Sequence, residues 1–369
     1  MTPCAARIGA LAQERETGTM AAQGEVTEAN PQGEAQDLPV KPKSPILKQI
    51  ATILIAAVFL YFAFRGANFS QIWNYSKSID FMFFALVCVI GVISHLLRAI
   101  RWVVLLRPVS DKPVSLWNSF CAVLIGYAVN VVIPRGGEVA RLVSISKSEN
   151  IPWAAVLPTM FIDRLLDIAL LVFVFGSTIL VLPKSITEKM PWLFSGGIAL
   201  TAATVVGLFL LPKIPACVRW FTAFPFIRRA IPEKIFQKVE SLLTQFELGT
   251  GALTNPLAYP AIAGLSFLIW LCYFANSYFM LWAFHLQEKV SVLNALIVFA
   301  IGSLGVLIPT PGSVGSYHWL VKESLVMTSG LDPDLALAYA TVLHITSFIL
   351  VSCVTAAICV GVNAVRAQK

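Results

Sequence analysis

Two interruptions of membrane-type sequence, a hundred and seventy-five positions apart, constrain this 369-residue chain more than any other feature. They read Asn130-Val-Val-Ile-Pro134-Arg135-Gly136-Gly137 and Gly305-Val-Leu-Ile-Pro309-Thr-Pro311-Gly312. Proline removes a backbone donor and glycine loosens a helix, and lipid cannot satisfy the carbonyls so freed. Such breaks are tolerated only where they line a protein-walled or watery cavity, and matching breaks in two parts of a chain point to a transport site. Val131/Val306, Ile133/Ile308, Pro134/Pro309, Gly137/Gly312 and Val139/Val314 are identical between the two stretches.

The chain is 57% hydrophobic and only 13% charged, whereas a soluble domain is about one-quarter charged. Apolar runs near the ~20 residues that span a bilayer recur from Ile46 to Val365. The expected fold is therefore an all-α polytopic membrane protein, with 46–369 as one transmembrane domain. Residues 1–45 are polar and rich in Gln, Glu, Pro and Gly, and are expected to form a disordered tail. They contain no signal-peptide-like apolar core, so the first span is expected to remain as an anchor.

Full spans are expected near 47–64, 82–106, 153–182, 192–211, 257–283 and 335–362. Basic residues follow the second span (Arg107, Lys112), fill the loop after the fourth (Lys213, Arg219, Arg228, Arg229, Lys234, Lys238) and end the chain. The positive-inside rule places both termini in the cytoplasm. Parity then requires the interrupted segments, 116–148 and 291–328, to be re-entrant. The first enters from the cytoplasm and the second from outside, an inverted pair whose breaks meet near the midplane. The loop 212–256 mixes aromatic with basic residues and reads as an amphipathic cytoplasmic element. The net charge of +7 is spread over short loops, which suits lipid headgroups and not nucleic acid.

Ionisable groups within spans are costly and mark functional candidates. Arg135, Glu138 and Arg141 fall three apart after the first break, on one helix face. They suit either a phosphate held in a guanidinium fork or a structural ion pair at the membrane edge. Asp163, Arg164 and Asp167 allow a local Arg164–Asp167 pair or a role in binding, and Asp163 then needs Arg135 or Arg141 as partner. His95, Arg98, Arg101 and Trp102 form a stripe; either the arginines snorkel while Trp102 anchors at the interface, or they weakly bind a headgroup. His318 follows the second break and either titrates during transport or donates to a freed carbonyl. His344 is expected to pack and His285 to be solvated.

No metal-ligand spacing, cofactor motif or nucleophile elbow occurs, so neither metal, cofactor nor enzymatic activity is expected. The seven cysteines read as packing thiols.

Arg98-Ala-Ile-Arg101-Trp102, Pro134-Arg-Gly-Gly-Glu138-Val-Ala-Arg141, Asp163-Arg164-Leu-Leu-Asp167 and Pro309-Thr-Pro311-Gly312-Ser-Val-Gly315 occur in this order. The ordered set resembles the lysylphosphatidylglycerol synthase transmembrane-region family, the flippase-like domain that also occurs in multiple peptide resistance factor. The resemblance implies a lipid-translocating domain of bacterial inner-membrane type. Only four residues follow Val365, so the soluble acyltransferase domain of the fused proteins, and with it aminoacylation of lipid, is not expected. Two departures stand out. Asp163-Arg164 takes the place of a frequent Glu-Arg, and Ser313 and His318 take the places of a glycine and an acid in the family's Gly-Gly-x-Gly-x-x-Glu.

The expected function is a flippase for a phospholipid, anionic or zwitterionic, or a polyprenyl-phosphate-type lipid. Its substrate residues would be Asn130, Pro134, Arg135, Gly136, Gly137, Glu138, Arg141, Asp163, Arg164, Asp167, Pro309, Pro311, Gly312, Gly315 and His318. A secondary transporter of a small anion and a non-transporting scaffold are the alternatives.

Overall fold

In the computed structural model the described residues are 46–133, 136–179, 188, 192–210, 213–230, 232–251, 255–308 and 310–367. Pro134, Arg135, Pro309 and the polar stretch 1–45 therefore lie outside them. Among the described residues every regular element is helical.

Helices occupy all six stretches expected to span: α1 (Ile46–Phe64), α3 (Phe81–Leu106), α6 (Trp153–Ile179), α7 (Trp192–Leu210), α11 (Tyr259–Ala283), and α14 (Pro333–His344) continued by α15 (Val351–Ala367). Among the described residues three spans, Phe81–Val109, Tyr259–Ala283 and Pro333–Arg366, are long and apolar enough to cross a membrane. A fourth arises if α1 and α2 (Phe69–Lys77), which meet at 82°, count as one. Helix α6 has the length, but Asp163, Arg164 and Asp167 interrupt its apolar run.

A π-helical turn, Ile345–Leu350, joins α14 to α15. Such turns widen the backbone ladder and occur often at functional positions.

Each interrupted segment is a helical hairpin. In the first, α4 (Leu116–Val132) and α5 (Gly136–Glu149) run back along each other, with the Asn118 amide donating to Glu149 at 2.7 Å across the open end. In the second, α12 (Val292–Leu307) and α13 (Ser316–Ser329) do the same, with the Asn294 amide donating to the Thr328 carbonyl at 2.9 Å. The serines that cap α4 and α12, Ser115 and Ser291, accept from the backbone of those same asparagines.

Glycine permits the close packing. A Cβ at Gly137 would lie 1.9 Å from the Gly126 carbonyl oxygen, and one at Gly305 would lie 3.0 Å from the Tyr317 Cα.

The hairpins open at opposite ends of the molecule. Helices α3 and α11 pack antiparallel: the Asp80 N–H at the start of α3 donates to the Ala283 carbonyl at the end of α11. The first hairpin begins just after α3 ends, and the second just after α11 ends. Their closed ends meet: a Cβ at Gly312 would lie 3.6 Å from the Val131 carbonyl.

Between residues 213 and 251 the chain forms α8 (Ile214–Thr222), α9 (Pro225–Ala230) and α10 (Glu233–Thr250). Helix α10 packs on α6, where Gly249 touches the Ala155 carbonyl and Pro158.

Candidate functional site

Seven charged side chains from three helices, α3, α5 and α6, converge at the first hairpin. Asp163 of α6 is fully buried and receives Arg101 at 2.7 Å, Arg141 at 2.8 Å and Arg98 at 3.3 Å. Asp167, one turn on, receives Arg101 at 2.6 Å and Arg98 at 2.7 Å. Glu138 of α5 pairs with Arg164 at 3.2 Å. Four guanidinium groups thus meet three carboxylates, leaving one positive charge.

Arg98 and Arg101 neither snorkel nor face headgroups. Arg98 is occupied by Asp163, Asp167 and the Tyr273 hydroxyl, Arg101 by Asp163, Asp167 and Ser266. Trp102 is likewise buried instead of anchoring at an interface, and its indole N–H donates to Thr159 at 3.1 Å. At a rise of about 1.5 Å per residue, Arg101 lies only about 8 Å from the end of α3. That is within reach of snorkelling, but two carboxylates on α6 offered a stronger partner than water.

Arg141 differs from the other buried arginines. Its Nη1 binds Asp163 and its guanidinium lies 3.7 Å over the Trp102 ring. Its Nε and Nη2 are buried without a partner among the described residues, as is Glu138 Oε2. An unpaired buried guanidinium N–H costs several kcal/mol relative to a paired one on a transfer scale, so these donors are suited to an anion or to ordered water.

Arg164 keeps the local pair with Asp167 that spacing suggested, at 3.9 Å, beside its shorter bond to Glu138.

The glycines serve the fold. Gly137 presses on α4, where Asn130 Oδ1 accepts its N–H at 2.8 Å, and a Cβ at Gly136 would strike Ile133. The close approach they allow is to protein.

At the second break Gly312 and Gly315 take positive φ, and a Cβ at Gly315 would lie 2.8 Å from the Ala56 carbonyl of α1. Pro311 begins a single 3-10 turn there. His318 is buried against Phe64 and His344, with ring centroids 6.1 and 4.7 Å away, and the Gly315 N–H points at its Nδ1 at 3.4 Å. A backbone N–H only donates, so Nδ1 presents its lone pair. The bond to a freed carbonyl expected of His318 is made by His344, whose Nε2 donates to the Gly312 oxygen at 2.7 Å.

Spacing also missed Lys322. Its ammonium is buried and donates to the Ala63 and Phe62 carbonyls, closing the end of α1. Tyr273 and Ser266 carry no sequence signal of their own; their proximity to arginine appears only once α3 and α11 pack. Among the described residues no group of three or more His, Cys, Asp or Glu side chains could hold a metal.

The family described as "Lysylphosphatidylglycerol synthase TM region" matches residues 49–355, which include the whole charged cluster and both breaks. The chain belongs to this family. It is thereby a membrane protein of a lipid-associated family, and the described residues of the four motifs that carry the resemblance fall on α3, α5, α6 and the second break. No curated protein and no solved structure matches this chain.

Proposed function

We propose that this family member is a lipid translocator of the cell's inner membrane, with six spans, two re-entrant hairpins and both termini in the cytoplasm. A phosphate-bearing headgroup passes along the meeting point of the two breaks while its acyl tails stay in the bilayer; no covalent step is involved. The observation that carries this reading is Arg141, a buried arginine with unfilled donors in a cluster of net positive charge. It can hold a phosphate oxygen without giving up Asp163.

Two open apolar grooves favour a lipid over a small anion. One, of about 350 Å³, runs between α4 and α15 and is lined by Val129, Val132, Ile133 and Cys353. The other, of about 510 Å³, is lined by Val58, Phe59 and Phe62 of α1 with Ile308 and Trp319. Each includes the isoleucine just before its break. An apolar groove that ends at a break suits the hydrocarbon of an amphiphile, whereas a small-anion carrier has no use for it.

The test is translocation of a fluorescent phospholipid in proteoliposomes. Arg141→Ala is expected to lower the rate at least tenfold with the protein still folded, and Arg141→Lys to restore part of it, because an ammonium lacks the planar fork. Unchanged rates in Arg141→Ala would remove Arg141 from the path and with it this reading.

A further inference from the structure

Helices α8 to α10 carry an apolar face that no other described residue covers. Ile214, Cys217, Phe221 and Phe224 recur at helical spacing along one side of α8 and its extension, with Trp220 beside them. Trp220 is 68% exposed and Phe226, on α9, 86%. The other side, Pro215 and Thr222, is buried, and Arg219 between them binds Glu240 at 3.0 Å and also Glu247 on α10.

The charges are sorted as well. Arg219 takes up Glu240 and Glu247, and Arg228 takes up Glu233. Each acid of this segment is thereby paired internally, three carboxylates against two guanidinium groups. Lys213, Lys234 and Lys238 remain exposed.

Position fixes the occupant. Gly249 seats α10 on Ala155 and Pro158 near the start of α6, and Gly251 lies against Pro108 just past the end of α3. Arg107, Lys112 and Lys147 gather at this same end of the helices. The segment thus stands where membrane helices leave the bilayer, with aromatic residues and free cations outward. Aromatic rings favour the headgroup layer, and lysines near an anionic leaflet add attraction.

We propose that α8 to α10 form a docking element for an anionic membrane surface, with Trp220, Phe221, Phe224 and Phe226 among the headgroups and the free lysines facing lipid phosphate. Because α10 rests on α6 at Pro158, five residues before Asp163, the surface contact bears on the helix that carries both aspartates of the charged cluster. The proposal stands independently of whether the charged centre moves a lipid.

The test uses the full chain with p-benzoylphenylalanine in place of Phe226, and separately of Trp220, in liposomes of phosphatidylcholine alone or mixed equally with phosphatidylglycerol. Irradiation is expected to yield a lipid adduct by mass spectrometry, rising roughly fivefold with the anionic lipid, the factor that about one lysine contributes at such a surface. Lys234→Gln with Lys238→Gln is expected to abolish that rise while keeping the basal adduct. Absence of a lipid adduct at both positions, or a crosslinked dimer in its place, would overturn the docking element. A rise that survives the double substitution would overturn the role of the lysines.

Discussion

Asp163 is the residue on which most of the buried charge depends, since Arg98, Arg101 and Arg141 all reach it. Removing one partner of a buried charge set leaves the others uncompensated, at a cost of about 3–5 kcal/mol. Asp163→Asn is therefore expected to lower the unfolding midpoint in detergent sharply. Combining it with Arg141→Gln should recover part of the loss, since one of the stranded charges is removed with it. Strict additivity of the two substitutions would show that the pair does not interact. Sequence spacing alone was enough to put Asp163 with a positive partner, and Arg141 is one of the two arginines it suggested. The same spacing misled for Arg98 and Arg101. Periodicity reports which residues share a face, but not what the face meets; an arginine stripe near a helix end looks the same against water as against two aspartates. His318 and His344 illustrate the same limit, because which ring reaches the Gly312 carbonyl depends on how α13 packs on α14.

At the scale of elements, the two hairpins hold together through glycine contacts at their waists and asparagine bridges at their open ends. The waist is the more sensitive point. A side chain at Gly137 would meet both the Gly126 carbonyl and Asn130, backbone and bonded neighbour alike, and neither can move without parting α4 from α5. Gly137→Val is expected to destabilise the first hairpin by about 3 kcal/mol, at the upper end of what overpacking costs. Hydrogen exchange should then quicken across α4 and α5 with α11 unaffected; uniform exchange throughout would mean that the hairpin is not a separable unit. The helix breaks were legible in the sequence because proline and glycine act locally. The bridges were not recognised, although a repeated signal was present: Ser115-Leu-Trp-Asn118 and Ser291-Val-Leu-Asn294 open the two hairpins with the same cap and the same bridging amide. A serine and an asparagine three residues apart look like an ordinary helix start, and nothing local to them reports the partner across the hairpin.

At the scale of the whole molecule, the opposite openings of the hairpins convert charge into a testable orientation. Arg107, Lys112, Lys147 and the α8–α10 segment lie at the end where the first hairpin opens; Lys77, Asp80, Glu288, Lys289 and Asp332 lie at the end where the second opens. The first end is strongly basic and the second mixed, so the positive-inside rule predicts that the first faces the cytoplasm. The chain supplies its own reporter: Cys217 on α8 is the exposed cysteine among those described. A membrane-impermeant maleimide is expected to leave Cys217 unmodified in intact cells and to label it once the membrane is opened. With Cys217 replaced by serine, new cysteines at Lys77 and Lys289, both exposed, should be labelled in intact cells, and one at Lys238 only after opening. Lys289 decides the matter. It stands between the end of α11 and the start of α12, so labelling from outside requires the second hairpin to enter from the face opposite the first. Were Lys289 reached only from the cytoplasm while Cys217 was too, the hairpins would enter from one side, and the inverted pairing of the two breaks would lose its geometric basis.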